Sequence, residues 1–175
     1  MNVQDLIRTV SQHPAANAGR MEKVAHELRR IGALPKGGRG PHAPAIDTLQ
    51  AAVLLITFAG ADRIEDVVPT LDNALRLVDV DGVKLAGMLA HALSDQASLA
   101  SIYHITLYPM GTMADLILQK GGKPANLIRF LLPDQWQADA NPYAQNQILV
   151  GRTGHIGGGI LEVIALKMGT AEVAA

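Results

Sequence analysis

The sequence predicts an α+β fold: an N-terminal helical region, then a small, mainly antiparallel sheet with a C-terminal helix. Three observations lead there. Apolar residues recur at helical spacing up to about residue 97. From Ser98 the chain turns to β-branched and aromatic residues in partial alternation, the signature of strands. The apolar stretch "GILEVIALKMG" then restores helical character. With 175 residues, 49% of them hydrophobic, a sizeable core is within reach. Aromatics are only 3%, so that core is built of Ala, Leu, Ile and Val.

Val3, Leu6, Ile7 and Val10 mark one face of a first helix, which His13-Pro14 ends. Residues 17–31 form a second helix with Met21, Val24, Ala25, Leu28 and Ile31 as its buried stripe, stopped by Gly32. Residues 35–44 hold three glycines and three prolines and cannot be helical. Asp47 or Thr48 caps an apolar helix over 49–59. Residues 62–78 are expected to be helical with a break or kink at Pro69, and 81–93 to be a further helix with Val83, Leu85, Met88, Leu89 and Ala92 in the core. "SIYHITLYP", "MADLILQ", "NLIRFLLP" and "QILV" read as four strands, with a turn at 120–124 and a polar loop over 134–146. The expected organisation is an N-terminal region of 1–60, a helical connector of 61–97 and an α+β region of 98–175.

Charge is segregated. Residues 1–42 hold seven Lys/Arg against three Asp/Glu, a balance of +4; residues 43–100 hold three against eight, a balance of −5; the whole chain is −1. Arg20, Lys23, Arg29 and Arg30, with His26 beside them, lie on the second helix, and Lys36 and Arg39 on the Gly/Pro-rich arm that follows. A helix with outward cations suits the phosphates and the major groove of duplex DNA. A glycine-flanked arginine such as Arg39 suits DNA backbone or a narrow minor groove, because glycine permits close approach.

The stretch "MEKVAHELRRIGALPKGGRGPHAPAIDTLQAAVLLI" resembles the N-terminal helix-turn-helix region of small regulators encoded by phages and prophages, especially in alphaproteobacteria. "LPKGGRG" followed by "AP", leading into "T..AA.LLI", carries the similarity over residues 17–58. The resemblance implies a helix-turn-helix-like region that binds double-stranded DNA. The expectation is therefore a sequence-specific transcriptional regulator that works as a homodimer, because one short recognition helix reads few base pairs. The alternative is a phage-encoded protein-interaction module docking on a host complex. It would use the acidic residues Asp62, Glu65, Asp66 and Asp72, or Trp136, whose competing role is a plug over the sheet.

"ILVGRTGHIGGGILEVIA" places Gly151, Gly154 and Gly157 at the spacing of a dinucleotide-binding turn. The residues after it offer neither the second strand of a βαβ unit nor an acidic residue at the required distance. A glycine-rich turn before a helix is expected instead. His155 to Gly159 faintly resembles an esterase oxyanion loop, but no G-x-S-x-G nucleophile exists. The absence of cysteine excludes disulfides and thiolate chemistry, and none of the histidines 13, 26, 42, 91, 104 and 155 pair at i, i+4. No enzymatic activity, metal or cofactor is expected. The start of the chain has no signal-peptide pattern and the longest apolar run, 51–59, is too short to span a bilayer, so a cytoplasmic protein without membrane contact is expected.

Overall fold

The structure, a computed structural model, describes residues 1–13, 16–37, 42–138 and 154–168. Helix α1 (Val3–Val10) opens on a reciprocal cap. The Asn2 side chain accepts from the Asp5 amide at 3.0 Å, and Asp5 accepts from the Asn2 amide. Helix α2 (Ala18–Arg30) is capped by Asn17 and buries Met21, Val24, Ala25 and Leu28. The expected stripe ended at Ile31, which is 38% exposed. Gly32 takes a left-handed φ of 84°, and the Ala33 and Leu34 amides turn back to the Leu28 carbonyl. This helix ending swings Leu34 into the core in place of Ile31.

Helix α3 (Thr48–Gly60) is capped by Asp47, with Gln50 closing the reciprocal bond, and is buried on nearly every side. It is the central rod of the molecule, as an all-round apolar helix must be. Residues 62–78 are not one helix. A 3-10 turn (Ile64–Asp66) leads into α4 (Val67–Ala74). Pro69 sits in the first turn of α4, where no intrahelical donor is needed, so it neither breaks nor kinks the helix. Val78 then leaves helical geometry and exchanges backbone hydrogen bonds with Leu131. The Asp79 carboxylate accepts from the amides of Asp81 and Val83, and Gly82 has a φ of 80°. This side-chain-stabilised turn delays the next helix, α5 (Leu85–Ser94), and leaves Val83 46% exposed. A short α6 (Gln96–Ala100), capped by Asp95, was not foreseen.

The sheet has four antiparallel strands in the order β3-β2-β1-β4. They are β1 (Ile102–Leu107), β2 (Met113–Lys120), β3 (Lys123–Leu131) and β4 (Gly154–Gly157). β2 and β3 form a hairpin through Gly121 and Gly122, both at positive φ, the conformation a two-residue turn needs. Pro124 falls inside β3, which tolerates it as an edge strand. Asp115 and Arg129 face each other across this hairpin in a two-pronged ion pair of 2.7 and 3.0 Å, and the Tyr108 hydroxyl donates to Asp115. Residues 147–150, expected as the fourth strand, lie outside the described residues; "GHIG" is the strand that pairs with β1. Helix α7 (Pro133–Ala138) occupies residues 134–138, expected as loop, and α8 (Gly158–Met168) closes the described chain.

One cluster of buried side chains runs from Val3 on α1 to Ala165 on α8, crossing both expected boundaries, 60/61 and 97/98. Lys167 on α8 donates to Thr9 on α1 at 3.0 Å. The connections between the first three helices are residues 11–17 and 31–47, longer than the three- or four-residue turn of a compact helix-turn-helix. No helix among the described residues is long and apolar enough to cross a membrane.

Candidate functional site

The cations of α2 divide into two groups. Lys23, His26 and Arg30 are exposed on one outward stripe, and Lys36 is exposed just beyond the helix. Glu22 shares that stripe, and Glu27 pairs with Arg30 at 2.7 Å. Arg20 and Arg29 leave the stripe. Arg20 reaches across to the end of α3, where its guanidinium donates to the Phe58 carbonyl at 2.7 Å and to the Ala61 carbonyl. The same group lies over the Phe58 ring, 4.7 Å from its centre. It thus satisfies carbonyls that have no partner within the helix and places a cation at the helix's negative end. Arg29 folds beside Gly37, its Nε buried, in a small cleft of about 120 Å³ shared with Asn2, Gln4 and Pro44. Arg39 lies outside the described residues.

Arg20 also walls a larger cavity of about 510 Å³ between the α1–α2 connection, the end of α3 and the β4 edge of the sheet. Its apolar lining comes from Val10, Leu55, Phe58, Ile156 and Ile160. Its ionisable lining is His13, Arg20, Asp62, His104 and His155. That volume and that mixture, an apolar wall with a few convergent polar groups, are the ordinary make-up of a small-molecule site.

Two of the lining residues form a histidine pair. Register pairs His155 with Thr106 and Gly157 with His104, so alternation puts His104, Thr106 and His155 on one face, opposite buried Ile105 and Ile156. His104 Nε2 lies 2.9 Å from His155 Nδ1 and 3.0 Å from the Thr106 hydroxyl. The rings are tilted at 36°, with centres 4.9 Å apart. A nitrogen–nitrogen hydrogen bond needs one N–H and one lone pair, so two fully protonated rings cannot keep this contact. Burial, and secondarily the neighbouring His155, holds the His104 imidazole below its ordinary pKa.

No protein-family model matches the chain, and no curated protein or solved structure does either. The glycines around β4 are therefore read from their own surroundings. A Cβ at Gly154 would collide with the Ala59 carbonyl on α3, and one at Gly158 with the Ile102 carbonyl on β1. They let backbone pack on backbone where a nucleotide turn would have used them to approach a pyrophosphate.

The histidine pair escaped sequence reasoning because its members stand 51 positions apart and only the β1–β4 register joins them. Spacing along the chain carries no signal of that kind. Among the described residues, no three His, Asp or Glu side chains come together to hold a metal ion. Trp136 sits on α7, not in a loop, and its indole donates to the Val78 carbonyl at 2.9 Å, closing over the sheet margin. Of the acidic residues, Asp66 caps the Arg63 amide and Glu65 pairs with Arg63, while Asp62 lines the cavity.

Proposed function

We propose that the chain is a DNA-binding regulator that contacts the duplex with the outward stripe of α2 and with the arm that begins at Lys36. The observation that carries this reading is the placement of Lys23, His26, Arg30 and Lys36. They are exposed together on a helix whose opposite face is anchored in the core. A rigidly backed helix can lie in a groove without losing order. Buried α3 takes no part in contact and serves as the support. A homodimer would double the number of cations presented.

Salt titration of binding to a labelled random-sequence duplex, followed by fluorescence anisotropy, tests the reading. With three cations per protomer on phosphates, log affinity should fall against log salt with a slope of about −2.7. That is a loss of roughly 40-fold between about 50 and about 200 mM salt, and the slope should be about twice as steep if a dimer binds as one unit. Replacing Lys23 and Lys36 by Ala should flatten the slope. Absence of binding at low salt would reject the proposal and favour a protein partner.

A further inference from the structure

We infer that the 510 Å³ cavity behind α2 binds a small organic acid, an apolar single-ring body carrying one carboxylate. This goes beyond DNA binding and does not depend on it. The apolar body is suited by Leu55, Phe58, Ile156 and Ile160 on the walls. The carboxylate is suited by ionisable groups of the same lining. Arg20 carries a permanent charge and is held by two carbonyls and the Phe58 ring. The His104–His155 pair lines the same cavity.

The sign of the preferred ligand follows from these groups. The pair shares one bridging hydrogen, and Thr106 lies within 3.0 Å of His104 Nε2 and 3.4 Å of His155 Nδ1. Adding a proton to one imidazole turns a ring nitrogen into a charged donor. That is unfavourable in a half-buried site beside another imidazole and becomes favourable when a carboxylate arrives to accept from it. The other ionisable groups lining the cavity are His13, Arg20 and Asp62, the one acid. Arg20 and Asp62 offset one another, so the preference for an anion comes from the proton a carboxylate brings onto the His104 imidazole. A cationic ligand or a neutral amide would recruit no proton.

Binding should thus be coupled to proton uptake. Benzoate and phenylacetate, with benzamide and benzylamine as neutral and cationic isosteres, are the probes, applied to the full chain in calorimetry and thermal-shift measurements. The carboxylates should raise the melting temperature and bind more tightly at about pH 6 than at about pH 7.5. The amide and the amine should do neither. His155→Ala removes an exposed side chain from an edge strand and should fold. It should weaken carboxylate binding by about tenfold, the value of a hydrogen bond to a charged group. His104→Gln, read the same way, guards against a folding effect of either change. The inference is overturned if both carboxylates at about 10 mM leave the melting temperature unmoved. Equal binding of benzamide and benzoate, or unchanged affinity in both histidine variants, would overturn it as well.

Discussion

Arg20→Met separates a structural cation from a DNA-contacting one. In the folded chain the Arg20 guanidinium donates to the carbonyls of Phe58 and Ala61 and stacks over the Phe58 ring. Methionine keeps the stem and its packing but deletes the donors and the charge. Hydrogen bonds from a charged donor contribute roughly 1.5–3 kcal/mol, and a partly exposed cation–π contact about 0.5–1 kcal/mol. The freed Phe58 carbonyl borders the cavity, where water can reach it, so the lower end of the combined range applies, about 2 kcal/mol. For a chain of this length that lowers Tm by roughly 4–8 °C. Thermal unfolding followed by circular dichroism measures it, and anisotropy well below Tm measures DNA affinity. Arg20→Met should lose stability and keep its DNA affinity, whereas Lys23→Ala should keep its stability within about 0.5 kcal/mol and bind DNA less well. An unmoved Tm together with lost DNA affinity in Arg20→Met would refute the inward placement.

Three further outcomes are expected. Asp115→Asn leaves the Arg129 guanidinium in a largely buried site without its counter-charge and deprives the Tyr108 hydroxyl of a charged acceptor. It should cost about 3 kcal/mol in urea unfolding, and an unchanged midpoint would show the pair to be dispensable. Gly154→Ala drives a methyl into the Ala59 backbone, so β4 must shift from α3; a loss of about 1–3 kcal/mol and a weakened cavity ligand are expected, and wild-type stability would contradict the packing. His104, with its folded-state pKa held below the ordinary 6.5, binds its proton less readily in the native state than in the unfolded state. Stability therefore rises with pH across that window, is complete above about 6.5 and is lost as pH falls toward the depressed value. The Tm of wild type should drop on acidification more than that of His104→Gln, and parallel pH profiles would count against the shift.

Caps and periodicity made most of the helical fold legible. Asn17 and Asp47 each mark a helix start, and the stripes of α1 and α2 are nearly those the spacing gives. What escaped depends on distant partners. The end of α4 is set by Val78 pairing with Leu131, and the late start of α5 by an Asp79 turn that local propensity does not price. β4 is a strand although it reads "GHIG", because Gly154 at its start and Gly158 just past its end are needed for close approach to α3 and β1. Propensity scores those glycines as turn; the tertiary contact overrides it. The cavity and its histidine pair follow from that same strand, so missing the one entailed missing the other.

The division of cations on α2, by contrast, was available in the sequence at a finer scale. At about 100° per residue, the buried stripe of Met21, Val24, Ala25 and Leu28 has a well-defined centre. Lys23, His26 and Arg30 stand about 150–170° from it, on the far side of the helix. Arg20 and Arg29 stand only about 90° away, one on each flank. A long arginine stem on a flank can lie along the apolar border and deliver its head to a neighbour, which is what both residues do. Counting charges per segment treats all five positions alike and overstates the outward face by two. The charge that remains there is Lys23, Arg30 tempered by Glu27, and Lys36 past the helix end. A salt slope near three ions per protomer, or near four with Arg39 on the arm, is therefore the value that this helix geometry requires of a DNA contact.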